Sequence, residues 1–240
     1  MICKTYEIET LQSYKFVVVL SKYQGKILLS RHKDRTTWET QGGHIESGET
    51  PLDAAKRELY EESGAVEFDI QPFCDYWAGD FETNQGANGM VFVANITKLD
   101  KLPKSEMAEV KTFDVLPPDL TYPMITPVLF GKLIIGTTVA VNVDRKMGTY
   151  HPKHPDIFYP INYGYVPGMM AADGEEQDAY IIGVDTPVEN FTGKVVAIIH
   201  RNDDVEEKWV VCPENLNFTV DEIEEQVKFQ EQYFDSYIIM

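Results

Sequence analysis

Cysteine is scarce in this chain. Cys3, Cys74 and Cys212 are the only three in 240 residues, and no two share a paired spacing. That argues against a disulfide framework and against a cysteine-based zinc site. Long apolar runs are missing as well. Stretches such as Phe16 to Leu20 are far shorter than the ~20 residues a membrane-spanning helix needs. The opening MICKTYEIET has no apolar signal-peptide core, so the expected location is cytoplasmic, with no membrane partner. Positive charge is the third shortage, at 21 Lys and Arg against 39 Asp and Glu, for a net charge of −18. The deficit deepens toward the end, where residues 133–240 hold 7 Lys and Arg against 19 Asp and Glu. Without a basic surface to release counterions, a nucleic acid polymer is not the expected partner. Clustered carboxylates suit a hard divalent cation instead. No internal repeat, low-complexity tract or flexible linker interrupts the chain.

What is present is the material of a globular protein, 43% hydrophobic and 12% aromatic, long enough for one large domain or two small ones. Tyr14–Leu20 and Lys26–Ser30 are β-rich runs around a Tyr23–Gln24–Gly25 turn and read as a hairpin. Strand-like runs follow at Phe73–Ala78, Met90–Ile96 and Val110–Val115. A helix spans roughly Pro51 to Ser63, and a short one begins near Pro123 after the Pro117–Pro118 punctuation. This pattern predicts a mixed sheet with two helices. From about Leu133 the texture changes to short β-rich runs separated by Gly, Pro and Asp: Thr137–Val143, Tyr180–Val184, Lys194–His200 and Lys208–Cys212. That spacing predicts a small barrel or sandwich. A capping box at Thr219 and Glu222 starts a closing helix, with Val220, Ile223, Val227 and Tyr233 expected on its buried side. Two domains, 1–132 and 133–240, are expected.

Chemistry concentrates in the first half. Thr50 caps the helix, Pro51 suits its first position, Asp53 suits its positive end and Gly64 stops it. Glu58, Glu61 and Glu62 fall at i, i+3 and i+4 and share one stripe. Leu52, Ala55 and Leu59 form the neighbouring stripe, and Ala54 leaves room one turn before Glu58. Three stacked carboxylates repel one another unless a cation sits among them. An acidic helix face is ordinarily just solvated, so stacking alone is weak support. The wider spacing is not weak. Gly43, Glu49, Arg57, Glu58, Leu59, Glu61, Glu62 and Gly64 stand at the fixed positions of the Nudix signature, and residues 12–132 resemble that family. The chain departs from the family pattern at Ala65, usually a larger aliphatic residue, and at Gln41, often proline.

The resemblance implies an α/β/α sandwich with a mixed sheet and hydrolysis of a nucleoside diphosphate linked to another group. Magnesium, with manganese as the alternative, would be held by Glu61 and Glu62 with help from Glu58 and the carbonyl of Gly42. Arg57 would steady one carboxylate. A further glutamate beyond the box serves many members as ligand or base, and Glu106 and Glu109 are both candidates.

The second half carries Asn162–Tyr163–Gly164, followed by Asp173–Gly174–Glu175–Glu176–Gln177–Asp178. This arrangement resembles the family I inorganic pyrophosphatases from Val139 to Pro213, with Asp144–Arg145 upstream and Glu206 and Lys208 downstream. It implies an OB-like barrel with a C-terminal helix. Asp173, Glu175 and Asp178 are the implied metal ligands, and Tyr163, Arg145 and Lys208 the implied substrate contacts. Glu175, Glu176 and Glu206 replace an aspartate, a proline and another aspartate of the family. An active enzyme, a weakly active relic and a structural barrel all remain open.

Together the two likenesses lead to an expected hydrolase of small nucleotide or pyrophosphate substrates. Its leading reaction is cleavage of a nucleoside triphosphate, such as 8-oxo-dGTP, to monophosphate and pyrophosphate. Cleavage of ADP-ribose or a nucleotide sugar is the enzymatic alternative, and a nucleotide sensor with an interaction barrel the non-catalytic one. Oligomeric state is not legible.

Overall fold

The computed structural model describes residues 2–80, 83, 85–171, 173–202 and 207–240. Glu206 lies outside the described residues. The chain forms two compact units, residues 1–130 and 131–240.

The first unit is a mixed seven-stranded sheet. Strands β1 (Ile2–Tyr6), β5 (Ala65–Asp80), β6 (Gln85–Leu99), β2 (Phe16–Tyr23), β3 (Lys26–His32) and β7 (Met107–Phe113) follow one another across it, and β4 (Gln41–His44) pairs with β2. β2 runs parallel to β6, while the other pairs are antiparallel. Val17 and Val19 of β2, Met90, Phe92 and Ala94 of β6, and Ala54, Ala55 and Leu59 of helix α1 (Pro51–Ser63) close into one core. Their alternation along the strands and their 3.6-residue spacing on the helix are the same constraint met from two sides. A second cluster of Leu29, Trp38 and Leu120 includes Phe113, whose ring meets Trp38 edge-on at 5.0 Å.

β5 is far longer than the Phe73–Ala78 run that its sequence marks. It starts directly after the left-handed Gly64 cap and carries Pro72 in its middle. β1 pairs only with Asp75 to Gly79, so at Pro72 one side of β5 is an edge, where a missing N–H costs little. Gln41–His44 is not among the strand-like runs of the sequence and forms β4, because its register against Phe16–Val19 supplies the pairing that its composition does not advertise.

In the second unit, β8 (Thr138–Arg145), β11 (Asn162–Met170), β12 (Glu176–Ile181), β13 (Asn190–Arg201) and β14 (Glu207–Cys212) close into a five-stranded barrel. Closure runs through β13, which pairs with β8 over Asn190–Lys194 and with β14 from Lys194 to His200, across a bulge between Val195 and Ala197. Such a bulge supplies the bend a barrel corner needs. A short ribbon, β9 (Thr149–Tyr150) and β10 (Phe158–Tyr159), stands beside the barrel in sequence, and β15 (Ser236–Ile239) extends β13.

Gly164 marks the tightest crossing, where a Cβ would overlap the Asn142 carbonyl of β8. Gly164→Ala is therefore expected to cost at least ~2 kcal/mol, the scale of overpacking a closed core. Calorimetry of the C-terminal transition checks it.

Helix α3 (Val220–Glu231) has the capping box at Thr219 and Glu222. Its buried side differs from expectation. Ile223 and Val227 are buried, Val220 is exposed, and Tyr233 lies past the helix end with 66% exposure. The last contact is made by Glu231, whose carboxylate receives the Arg201 guanidinium at 3.0 and 2.7 Å and the Tyr180 hydroxyl. A charged residue completes the face because a charged partner waits inside the barrel.

Candidate active sites

The first site grows out of the turn from β4 into α1. Gly42 and Gly43 lie where side chains would collide, with the Val17 carbonyl and with the Glu58 carboxylate respectively. The paired glycines thus let β4 press directly on the acidic face of the helix. Gly42, expected to contribute its carbonyl, engages Glu62 through its N–H, which donates to Oε2 at 2.8 Å. Behind them, Gln41 is fully buried and satisfied. It accepts from the Ser21 hydroxyl and donates to the Ser30 hydroxyl at 2.8 Å, and Ser30 in turn donates to the Glu62 carbonyl at 2.8 Å. At this position the chain anchors the far end of α1 with an amide.

Arg57 organises the front of the site. Nε and Nη2 form a fork on Glu49 at 2.9 and 3.0 Å, and Nη2 also reaches the His44 carbonyl at 3.0 Å. Nη1 donates to Glu58 at 2.7 Å and to Glu61 at 3.3 Å. The fork holds Glu49 below the usual carboxylate range, with a second contribution from the Glu46 N–H. One guanidinium therefore fixes the loop to the helix and faces two of the three stacked carboxylates.

Burial pushes the Glu62 carboxyl up to about 9, against the lowering effect of the Gly42 N–H. The charges of Glu58, Glu39 and Glu106 push it further in the same direction. Burial also raises Glu58, partly offset by Arg57 and reinforced by Glu61 and Glu106. Glu106 thus belongs to the field of this site. Glu109 does not: it pairs across β3–β7 with Arg31 at 3.1 Å. Glu39, absent from the sequence expectation, is buried and paired with Arg35. Nothing in its local spacing marks it, since it reaches the helix only through sheet packing.

Glu58, Glu61, Glu62 and Glu106 offer hard oxygen donors in an environment short of positive charge, which fits a divalent cation chemically. Among the described residues no three His, Cys, Asp or Glu side chains are grouped closely enough to hold one. In the first site, Arg57 draws Glu58 and Glu61 toward itself.

The second site lies in the barrel. Lys208, 3% exposed at its side chain, donates to Asp178, and burial together with the Asp178 charge raises the Tyr163 hydroxyl well above its usual range. Arg145 sits over the Tyr163 ring at 5.1 Å and the Tyr159 ring at 6.0 Å, and pairs with Asp144 at 3.2 Å. Burial raises the Asp144 carboxyl, with Arg145 opposing and Asp178 adding to the rise.

The implied substrate contacts Tyr163, Arg145 and Lys208 are thus held together with Asp178. The implied metal trio is not. Asp173 and Glu175 occupy an exposed turn between β11 and β12, where Asp173 accepts the Glu175 N–H at 2.9 Å. Asp178 lies within β12 against Lys208. A turn cap and a strand position answer to different local constraints, so alternation in sequence does not bring the three together. The structure couples Asp178 to Asp144 instead.

Comparisons with known proteins agree with both halves. Residues 12–126 match the family model of the NUDIX domain, and residues 135–237 match that of inorganic pyrophosphatase. The chain is a NUDIX domain followed by an inorganic pyrophosphatase domain. Among curated proteins, the RNA pyrophosphohydrolase of Francisella philomiragia is 41% identical over 54 residues, 22% of this chain and 35% of that protein. The RNA pyrophosphohydrolase of Psychrobacter sp. is 39% identical over 54 residues, 22% of this chain and 31% of its own length. The chain spans about a third of these curated relatives. A crystal structure of a Bacillus subtilis pyrophosphohydrolase is 26% identical, covering 55% of this chain and 89% of that one, with a TM-score of 0.46. An inorganic pyrophosphatase from Ehrlichia chaffeensis is 16% identical over 42% of this chain and 84% of its own, with a TM-score of 0.34.

Proposed function

We propose that the NUDIX domain hydrolyses a nucleoside 5′-triphosphate to the monophosphate and pyrophosphate, and that the barrel hydrolyses this pyrophosphate to two phosphates. One water is consumed in each step. The observation that carries the reading is that Arg57 pairs with Glu58 and Glu61, while the charges of Glu58 and Glu106 bear on Glu62 and those of Glu61 and Glu106 on Glu58. Magnesium, when bound, would neutralise the polyphosphate and lower the pKa of a water that attacks phosphorus. Glu58, Glu61 and Glu62 would hold it. Arg57 keeps the loop bearing Glu49 closed on the helix, and Gly42 keeps Glu62 directed into the site. Glu106 is the group available to take the proton of the attacking water, since Glu109 is tied to Arg31.

Glu106→Gln is accordingly expected to lower kcat by about 10²-fold, the ordinary yield of a general base, while Glu109→Gln leaves it within about twofold. Equal losses in steady-state rates would remove this assignment.

An oxidised nucleotide such as 8-oxo-dGTP is one candidate substrate. A 5′-triphosphorylated RNA end carries the same scissile bond, and the matched curated relatives are named for RNA. The acidity of the chain favours the free nucleotide. Incubation with magnesium and each of dGTP, 8-oxo-dGTP, ADP-ribose and triphosphorylated RNA separates these routes. Two phosphates per monophosphate are expected from a triphosphate. Pyrophosphate accumulating one-for-one would end the coupled reading and leave the first activity standing. Turnover of ADP-ribose alone would replace it.

A further inference from the structure

The β9–β10 ribbon carries a run, His151–Pro152–Lys153–His154, that neither site has absorbed. His151 lies beside the barrel site. Its ring stacks on Tyr159 with centroids 6.3 Å apart and planes 22° apart, and burial and the Arg145 charge hold it below the usual imidazole range, with Asp144 opposing. The His154 ring is 4.8 Å from it. Cationic and donor groups therefore gather here, in the half of the chain that is poorest in them.

The protonation of His151 follows from its hydrogen bonds. Nδ1 accepts the backbone N–H of Lys153 at 3.1 Å and of His154 at 3.0 Å. A nitrogen accepting two amides carries no proton, so the ring is the neutral tautomer with its hydrogen on Nε2. Two backbone bonds and a stacked tyrosine fix the ring, leaving Nε2–H as its remaining donor. The neighbouring guanidinium has a donor to spare as well, since the Arg145 Nε is buried without a hydrogen-bond partner. A fixed neutral donor beside an arginine with an unmet N–H is suited to a phosphoryl oxygen.

The geometry points to His151 as a diphosphate-binding residue of the C-terminal domain, donating from Nε2 to the group that Arg145 binds. This rests on the reading of that domain as one that takes a diphosphate. The diphosphate could be inorganic or the tail of a nucleotide, and both present the same oxygens.

The test is calorimetric titration of the full chain, with magnesium, using methylenediphosphonate and, in a parallel arm, ADP. The first probe cannot be hydrolysed, so binding is read apart from turnover. His151→Phe keeps the ring stacked on Tyr159 and removes both nitrogens, and it is expected to weaken binding about tenfold, the scale of one hydrogen bond to a charged group. His151→Gln places an amide nitrogen near the position of Nε2 and is expected to restore affinity to within about twofold. Tighter binding of either probe identifies the source of the diphosphate and supports the assignment.

Unchanged affinity in His151→Phe, or loss in both variants alike, overturns it. Failure of the pyrophosphatase reading looks different. Wild-type chain would bind methylenediphosphonate, lose that binding in His151→Phe, and release no phosphate from pyrophosphate.

Discussion

Glu62→Gln is expected to slow release of pyrophosphate from a nucleoside triphosphate about 10³-fold while making the metal-free protein more stable at alkaline pH. The two effects share one cause. Glu62 is 6% exposed and surrounded by the charges of Glu58, Glu39 and Glu106, and burial lifts its carboxyl to about 9 from an ordinary 4.5. A carboxyl raised in the folded state stays protonated there while the unfolded chain ionises. Between about 4.5 and about 9 the unfolded state therefore binds fewer protons, and stability falls as pH rises. The slope reaches at most ~1.4 kcal/mol per pH unit. Glutamine keeps an acceptor for the Gly42 N–H and carries no charge, so it escapes this loss.

Thermal melts in EDTA should show Glu62→Gln above the wild type at pH 8, with the two curves converging toward pH 4.5. Magnesium should narrow or reverse the gap, because an ion among the carboxylates favours the charged form. Turnover should fall by about 10³-fold, as when a group that stabilises transition-state charge is removed. A variant with wild-type turnover, or one less stable than wild type at pH 8 in EDTA, would contradict this account of the site.

Glu231→Ala should be the most damaging single change in the barrel. Arg201 is 2% exposed, and two of its nitrogens reach Glu231, which also takes the Tyr180 hydroxyl. Truncation takes the Glu231 counter-charge away from a buried guanidinium. Removing one partner of such a pair typically costs ~3–5 kcal/mol. In a domain of about 110 residues that is upwards of ~10 °C in Tm, readable by scanning calorimetry. Tyr180→Phe, which removes one neutral donor and leaves the ion pair, should cost only ~1 kcal/mol. Similar losses for the two would mean that α3 is held by its apolar side, Ile223 and Val227, and hardly by the ion pair.

Much of this was legible in the residues. The box from Gly43 to Gly64 sets its own helix, cap, stop and carboxylate stripe, because each depends on spacing within a few turns of one element. The mixed sheet, the barrel and the closing helix were legible for the same reason, as runs of local periodicity.

The rest depended on what pairing brings together. Glu106 and Glu109 are three residues apart and equivalent in sequence. The β3–β7 register sets Arg31 opposite Glu109, while the charge of Glu106 bears on Glu58 and Glu62. Glu39 joins the same field through packing of the sheet on α1. Asp173 and Glu175 looked like partners of Asp178, and the hairpin turn put them at its exposed end while Asp144 took their place beside it electrostatically. Tyr233 gave way to Glu231 on the buried side of α3, since Arg201 comes from a strand 30 residues away. Sequence by itself determined which carboxylates share a helix face. Tertiary structure decided which of the others reach it, because charges interact through space and strand register sets their distances.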